Sequence, residues 1–217
     1  MKTFFLKSLT VIAMTCLGNA AIGNQVITNG DFETGDFSGW EVSHTGTSRN
    51  NFYISSTNKA PVSNYVTPGP ANGTYFAVAD QVGPGSQTLS QSFTTNSGTN
   101  YTLSYDMFVN SHSVFNASNQ YSRVDILSSA GAVLDNLYLG APGETAYTHY
   151  SFDISSTVGN GGTFNLRFFS LQNTFYQEQG VDNVSITGGD VPEPESLALV
   201  GLGLICLVFI RRKVNKA

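Results

Sequence analysis

Residues 24–190 alternate between apolar and polar side chains with a period of two, and glycine-containing turns separate the alternating runs. In the clearest run, 101–109, Tyr, Leu, Tyr, Met and Val alternate with mostly polar residues, and 87–94, 164–168 and 183–187 behave alike. Successive strand residues point to opposite faces, so one apolar face predicts antiparallel sheets packed against each other. We therefore predict one all-β domain over 24–190, an antiparallel β-sandwich of the jelly-roll type.

Charge and cysteine content limit what this domain can do. It keeps thirteen of the fifteen acidic residues but only four of the ten basic ones. An acidic body disfavours binding to nucleic acid. Cys16 and Cys206 lie outside the domain, so it has no disulfide framework and no thiolate metal site. Its stability must come from a packed core, which a 41% hydrophobic composition can supply.

The N-terminal segment is typical of export. Lys2 and Lys7 flank the start of a short apolar stretch, 9–17, and small residues follow it. This order predicts a secretory signal peptide over 1–23 rather than a membrane anchor, because the apolar run is short.

The C-terminal segment is an apolar run of 14 residues, 197–210, between a proline-rich border and a basic end. A helix of that length spans about 21 Å, short of the ~30 Å hydrocarbon core, so a buried core helix is the ordinary alternative. The basic residues that follow favour a transmembrane helix with the domain outside the cytoplasm.

Three features of the tail occur in a fixed order and together resemble the PEP-CTERM sorting signal over 191–217. The residues that carry the resemblance are Pro192, Glu193, Pro194, Arg211, Arg212 and Lys213. It implies handling by an exosortase-type membrane protease in a Gram-negative bacterium that makes exopolysaccharide. The protein would be held in the inner membrane by its C-terminal helix, and after processing would reach the cell surface or the extracellular matrix.

The two ends of the domain carry motifs that resemble the edges of jelly-roll carbohydrate-binding module families. The first is Asn-Gly-Asp-Phe-Glu at 29–33 with Trp40 after it, and the second is Val-Asp-Asn-Val at 181–184. In those families the ends lie together, often share a structural calcium, and bury the Trp. The resemblance makes Glu33 and Asp182 calcium ligands, with Asp31 as a further oxygen donor. Alternatively, these carboxylates satisfy turn backbone groups without a metal.

Motifs for catalysis are missing from the sequence. The three histidines match no metal-ligand spacing, and there is no nucleophile elbow, phosphate loop or dinucleotide fingerprint. Asp125 and Asp135 lie on neighbouring predicted strands and could in principle serve glycoside hydrolysis. Surface acids are the more ordinary interpretation, so we predict that the protein is not an enzyme.

The leading hypothesis is a non-catalytic surface protein that binds exopolysaccharide through exposed aromatic rings. The candidate rings lie in polar stretches, and ordinary packing is the alternative for each: Tyr53, Tyr65, Phe115 and Tyr176. A self-associating matrix or adhesive protein without a sugar site is a second hypothesis. A degradative glycosidase with unrecognised residues is a third.

Overall fold

The computed structural model describes residues 24–46, 49, 51–80, 84–112, 119–140, 143, 146–172 and 177–190. These residues form two antiparallel sheets and one short helix, which confirms the all-β sandwich. The signal-peptide segment and the sorting tail lie outside the described residues.

Sheet I has the strand order β3-β4-β11-β6-β9, and β1 pairs with β11. Its strands are β1 (Asn24–Gln25), β3 (Asn51–Ser55), β4 (Phe76–Asp80), β6 (Thr99–Ser111), β9 (Thr148–Asp153) and β11 (Gln177–Asp190). Sheet II has the order β2-β5-β10-β7-β8. Its strands are β2 (Glu41–His44), β5 (Gly85–Ser97), β7 (Tyr121–Ser128), β8 (Val133–Gly140) and β10 (Asn160–Gln172). The helix α1 (Ser155–Val158) precedes β10.

The core lies between the sheets and contains the apolar residues of the predicted alternating runs. Leu103, Tyr105 and Met107 of β6 are fully buried there, as are Leu166 and Phe168 of β10. Each strand therefore presents its other set of side chains outward, and these outward faces are where binding residues can lie.

The two end motifs pack against each other. Asn183 has a φ of 51° within an irregularity of β11 between Asp182 and Ser185, and the Val184 amide donates to the Gly30 carbonyl at 2.8 Å. Trp40 is 7% exposed and its Nε1 donates to a backbone carbonyl at 3.0 Å, which confirms that this ring belongs to the core. The sandwich thus brings both ends of the domain together.

The outward faces of the two sheets differ. Residues 56–75, which connect β3 to β4 and which we call the strap, lie across the outward face of sheet I. Tyr147 Oη donates to the Gly69 carbonyl of the strap at 2.9 Å, and the Ser63 hydroxyl of the strap donates to Glu178 of β11 at 3.2 Å. The outward face of sheet II instead presents partly exposed polar and aromatic side chains.

Candidate functional site

The outward face of sheet II gathers side chains from three neighbouring strands. Arg167 of β10 lies opposite Asp125 of β7, and Phe169 of β10 lies opposite Arg123 of β7. All four residues alternate with buried core residues along their strands, so the pleat directs them away from the core.

Asp125 is the centre of this group and is fully buried. It accepts hydrogen bonds from Arg167 Nη2 at 2.6 Å, Arg123 Nη2 at 2.9 Å and Asn136 Nδ2 at 2.7 Å. Burial opposes the charged form, but the hydrogen bonds from the two arginines and Asn136 outweigh it and lower the pKa of Asp125. The carboxylate is therefore ionised at neutral pH and fixes two guanidinium groups.

Both guanidinium groups also lie over one aromatic ring. Arg167 Cζ is 5.5 Å and Arg123 Cζ is 5.9 Å from the centroid of the Phe169 ring. The Tyr121 ring lies beside it, with 6.0 Å between the two centroids. These distances are within the range of cation–π contacts. We call Tyr121, Arg123, Asp125, Arg167 and Phe169 the basic–aromatic patch.

Hydroxyl groups border the patch on its other side. Ser90 and Thr88 of β5 lie opposite Arg167 and Phe169, and both are partly exposed. Ring faces, guanidinium donors and hydroxyls on one accessible surface can together contact the C–H faces and hydroxyls of a sugar.

Of the aromatic residues predicted to bind sugar, the two that the structure describes, Tyr53 and Tyr65, do not join this patch. Tyr53 is half-buried against Phe76, Val78 and Phe108 on sheet I, and its Oη donates to the Arg49 carbonyl at 2.8 Å. Tyr65 belongs to the strap. Phe115 and Tyr176 lie outside the described residues. A role for any of the four in binding stays a prediction.

The sequence did not predict a binding role for any patch residue, and Asp125 was considered only as a catalytic carboxylate, because no local motif marks these positions. Arg123 and Arg167 are two of only four basic residues in the domain, and both occupy outward positions in runs of core residues. A search for charged residues at outward strand positions would have selected both arginines. It would not have shown that they lie next to each other in the folded sheet.

The predicted calcium ligand Glu33 binds the strap. Its Oε1 accepts from the backbone amides of Thr74 and Tyr75, each at 2.8 Å, and these bonds lower its pKa, the bond from Tyr75 most. Asp31 is exposed, and its Oδ1 accepts from the Glu33 amide at 3.4 Å.

Asp182 reaches the same turn from β11. Its Oδ2 accepts from the amides of Ala71 at 2.9 Å and Asn72 at 3.2 Å, and its Oδ1 accepts from Asn183 at 2.8 Å. Burial raises the pKa of Asp182 to about 6, against the effect of these hydrogen bonds. Glu33 and Asp182 therefore hold the turn at 71–75 from two sides.

Three of the four carboxylate oxygens of Glu33 and Asp182 accept hydrogen bonds from N–H groups. This arrangement suits the binding of turn amides better than the binding of a cation. Within the described ranges, no group of three or more His, Cys, Asp or Glu side chains could hold a metal ion. A calcium held by Glu33 and Asp182 with backbone carbonyls stays a prediction from the resemblance.

Calcium removal tests that prediction. If a calcium is bound, chelation should cost about 2.7 kcal/mol relative to calcium at a hundredfold excess over Kd, which lowers the melting temperature by roughly 5–10 °C. Thermal melts in chelator and in millimolar calcium measure the difference, and magnesium serves as the control. Identical melting temperatures in chelator and in calcium would mean that Glu33 and Asp182 bind the turn amides without a metal.

A second acidic group holds the strap further along sheet I. Asp80 and Glu178 are both fully buried, and Asp80 Oδ2 accepts from the amides of Val62 and Ser63. Burial, and then the neighbouring Asp80, raise the pKa of Glu178 to about 8. Glu178 Oε2 lies 3.1 Å from His112 Nε2, and burial lowers the pKa of His112. Both shifts favour the uncharged form of the group concerned.

Tyr65 completes this cluster. Its ring stacks on the His112 ring with centroids 3.8 Å apart and planes 8° apart. His112 thus contacts Tyr65 through its ring face and Glu178 through its Nε2.

The two aspartates considered as a catalytic pair lie on opposite sides of sheet II. Asp125 pairs with Asn136 on the outward face. Asp135 pairs with Ile126, a core residue, and its Oδ2 accepts from Thr157 Oγ1 at 3.1 Å. The two carboxylates therefore cannot flank one glycosidic bond.

Comparison with known proteins identifies the tail. Residues 190–213 match the PEP-CTERM protein-sorting motif. This sorting motif indicates an exported protein that passes through a membrane-associated intermediate. No helix within the described ranges is long and apolar enough to span a membrane. No curated protein matches the sequence.

Solved structures share the fold of the domain. TmCBM61 in complex with β-1,4-galactotriose is 15% identical with a TM-score of 0.54, covering 75% of this chain and 97% of that one. Tailspike protein 4 of bacteriophage CBA120 is 14% identical with a TM-score of 0.53, and the match covers 76% of this chain and 21% of the tailspike chain. A Stig cyclase from Fischerella sp. TAU is 20% identical with a TM-score of 0.50, covering 77% and 98%. At these identities the likeness concerns the fold, which serves both binding and catalytic proteins.

Proposed function

We propose that this chain is an exported, non-catalytic protein that binds polysaccharide through the outward face of sheet II. The observation that carries the proposal is the basic–aromatic patch, where two rings and two oriented guanidinium groups share one accessible surface. The sandwich fold shared with TmCBM61 and the sorting motif support it.

Binding at this face uses two kinds of contact. The partly exposed rings of Tyr121 and Phe169 offer apolar surface to the C–H face of a sugar ring. Asn136 and the β5 hydroxyls of Thr88 and Ser90 supply hydrogen bonds to sugar hydroxyls. Affinity for one site is weak, and a polymer that engages several protein copies gains from multivalency.

Replacing Tyr121 by Ala should weaken polysaccharide binding about fivefold, since an aromatic contact contributes ~1 kcal/mol. Affinity electrophoresis in gels that contain matrix polysaccharide from the producing cells measures the change. Tyr53→Ala is the matched control, because this ring lies on sheet I. If Tyr53→Ala weakens polysaccharide binding and Tyr121→Ala does not, the binding site contains the residues predicted from sequence and not the patch. If no glycan slows the migration of the protein in the gel, the proposal of sugar binding is rejected.

Self-association is the second candidate, and the edge strand β8 favours it. β8 ends the order of sheet II, and three of its side chains are exposed apolar residues: Val133 at 48%, Leu134 at 48% and Leu139 at 67%. Exposed apolar edge strands promote pairing between chains. Light scattering over a range of protein concentrations, with Leu139→Lys for comparison, separates this candidate from a monomeric binder.

For the targeting segments, we infer that 1–23 is removed as a signal peptide and that 197–210 forms a transmembrane helix until an exosortase cleaves near the sorting motif. Changing Pro192, Glu193 and Pro194 to Ala should leave the protein in the inner membrane, because the processing site is lost while the apolar run and basic end remain. Fractionation with immunoblotting measures this, and Glu195→Ala is the control. Undiminished release of the triple variant would rule out processing at this motif.

A further inference from the structure

We propose that the basic–aromatic patch selects acidic polysaccharides, with a uronic-acid carboxylate bound by Arg123 and Arg167. This inference rests on the proposed function and names the class of sugar that the same surface prefers.

The charges of the patch do not balance. Two guanidinium groups share the single carboxylate of Asp125, so the patch keeps an excess of one positive charge. One arginine would be enough to neutralise Asp125, and the second is therefore in surplus. In a domain with thirteen acidic and four basic residues, half of the basic residues meet at this point.

Other described acids do not cancel this excess. Glu41 of β2 lies on the same face in the row that runs through Ser90 to Arg167. It is two strands away from Arg167, which corresponds to roughly 10 Å and about one Debye length at physiological salt. Asp135 lies on the other side of the sheet and is bonded to Thr157.

The guanidinium groups are oriented for a second carboxylate. Arg167 donates its Nε and Nη2 hydrogens to Asp125, and its Nη1 makes no hydrogen bond to a described residue. The Phe169 ring below and Asp125 beside it restrict its rotation. A guanidinium that is already oriented loses less entropy when it binds a planar carboxylate, and its fork geometry suits that group better than an ammonium would.

Partial burial strengthens such a contact. The side chains of Arg123 and Arg167 are only 26% and 24% exposed. Charge pairs that are partly removed from water are screened less by salt than fully exposed pairs. The acidic domain repels polyanions elsewhere, so an acidic polymer would dock where the local charge is positive.

The experiment compares three polymers with the full-length protein in mild detergent: polygalacturonate, neutral β-1,4-galactan and dextran sulfate. We expect polygalacturonate to bind most tightly and to lose affinity as salt increases. Arg167→Gln should weaken polygalacturonate binding about tenfold, in line with ~1.5 kcal/mol for a charged hydrogen bond, and should weaken galactan binding much less, because a neutral sugar offers no carboxylate to the guanidinium. The affinity of Arg167→Lys for polygalacturonate should lie between those of the wild type and Arg167→Gln. Arg49→Gln is the charge-matched control. Thermal melts establish that each variant is folded.

The outcomes separate this inference from the proposed function. Galactan binding that depends on Tyr121, without preference for polygalacturonate, overturns the inference and keeps the function. Equal affinity for dextran sulfate shows that charge alone acts and overturns the carboxylate assignment. If Arg167→Gln and Arg49→Gln lose the same affinity for polygalacturonate, the patch is not the site that binds the carboxylate. Binding to none of the polymers, nor to the cells' own matrix, rejects both proposals.

Discussion

The domain should be less stable at pH 8 than at pH 5, and Glu178→Gln should remove most of that difference. Burial under the strap raises the pKa of Glu178 from its ordinary value of 4.5 to about 8. The folded protein therefore keeps a proton that the unfolded chain releases above pH 4.5. This stabilisation is fully present below pH 4.5 and is lost as the pH rises to about 8.

The expected size is a few kcal/mol, since each unit of pKa change corresponds to ~1.4 kcal/mol. Asp182 acts in the same direction over a lower range, because its pKa is raised from 3.8 to about 6. His112 acts in the opposite direction, because its pKa is lowered and stability therefore rises with pH up to 6.5. Carboxyl groups with lowered pKa values lose their contribution only in acid: Glu33, Asp36, Asp125 and Asp153.

Urea unfolding at pH 5, 6.5 and 8 measures this dependence for the wild type, Glu178→Gln and Asp182→Asn. A glutamine keeps an acceptor for the Ser63 hydroxyl, so the variant removes titration and retains the contact to the strap. Glu41→Gln, an exposed acid on β2, is the control. The same pH slope in Glu178→Gln and the wild type would show that this carboxyl is not buried under the strap.

Gly30→Ala should destabilise the domain by about 3 kcal/mol or more, since a Cβ at this position would overlap the backbone carbonyl of Val184. A backbone atom cannot avoid the overlap by changing rotamer. The hydrogen bond from the Val184 amide to the Gly30 carbonyl ties the same two segments together, so both would have to shift. For a domain of this size the melting temperature should fall by roughly 6–12 °C.

Gly189→Ala is the matched control. It lies near the end of β11 with nothing within 4 Å of its added Cβ and without a positive φ, so we expect a change within about 0.5 kcal/mol. Calorimetric or fluorescence melts of the two variants give the comparison. Equal melting temperatures would contradict the packing of the first end motif on the second.

The sequence determined the class of fold and the sorting signal, because both depend on local patterns. Side-chain direction in a strand follows the parity of the position, so alternation placed Leu103, Tyr105 and Met107 in the core. The end motifs and the 190–213 sorting motif are contiguous and are recognised without knowledge of tertiary contacts.

The tertiary structure alone decided which outward residues meet. Asp125 and Arg167 are 42 positions apart, and they become neighbours only through the register of β7 on β10. Glu178 is a charged residue in a polar stretch of the sequence, yet the strap buries it and burial raises its pKa. Register and coverage result from the packing of distant segments, and alternation along one strand contains no information about which strand or loop lies beside it.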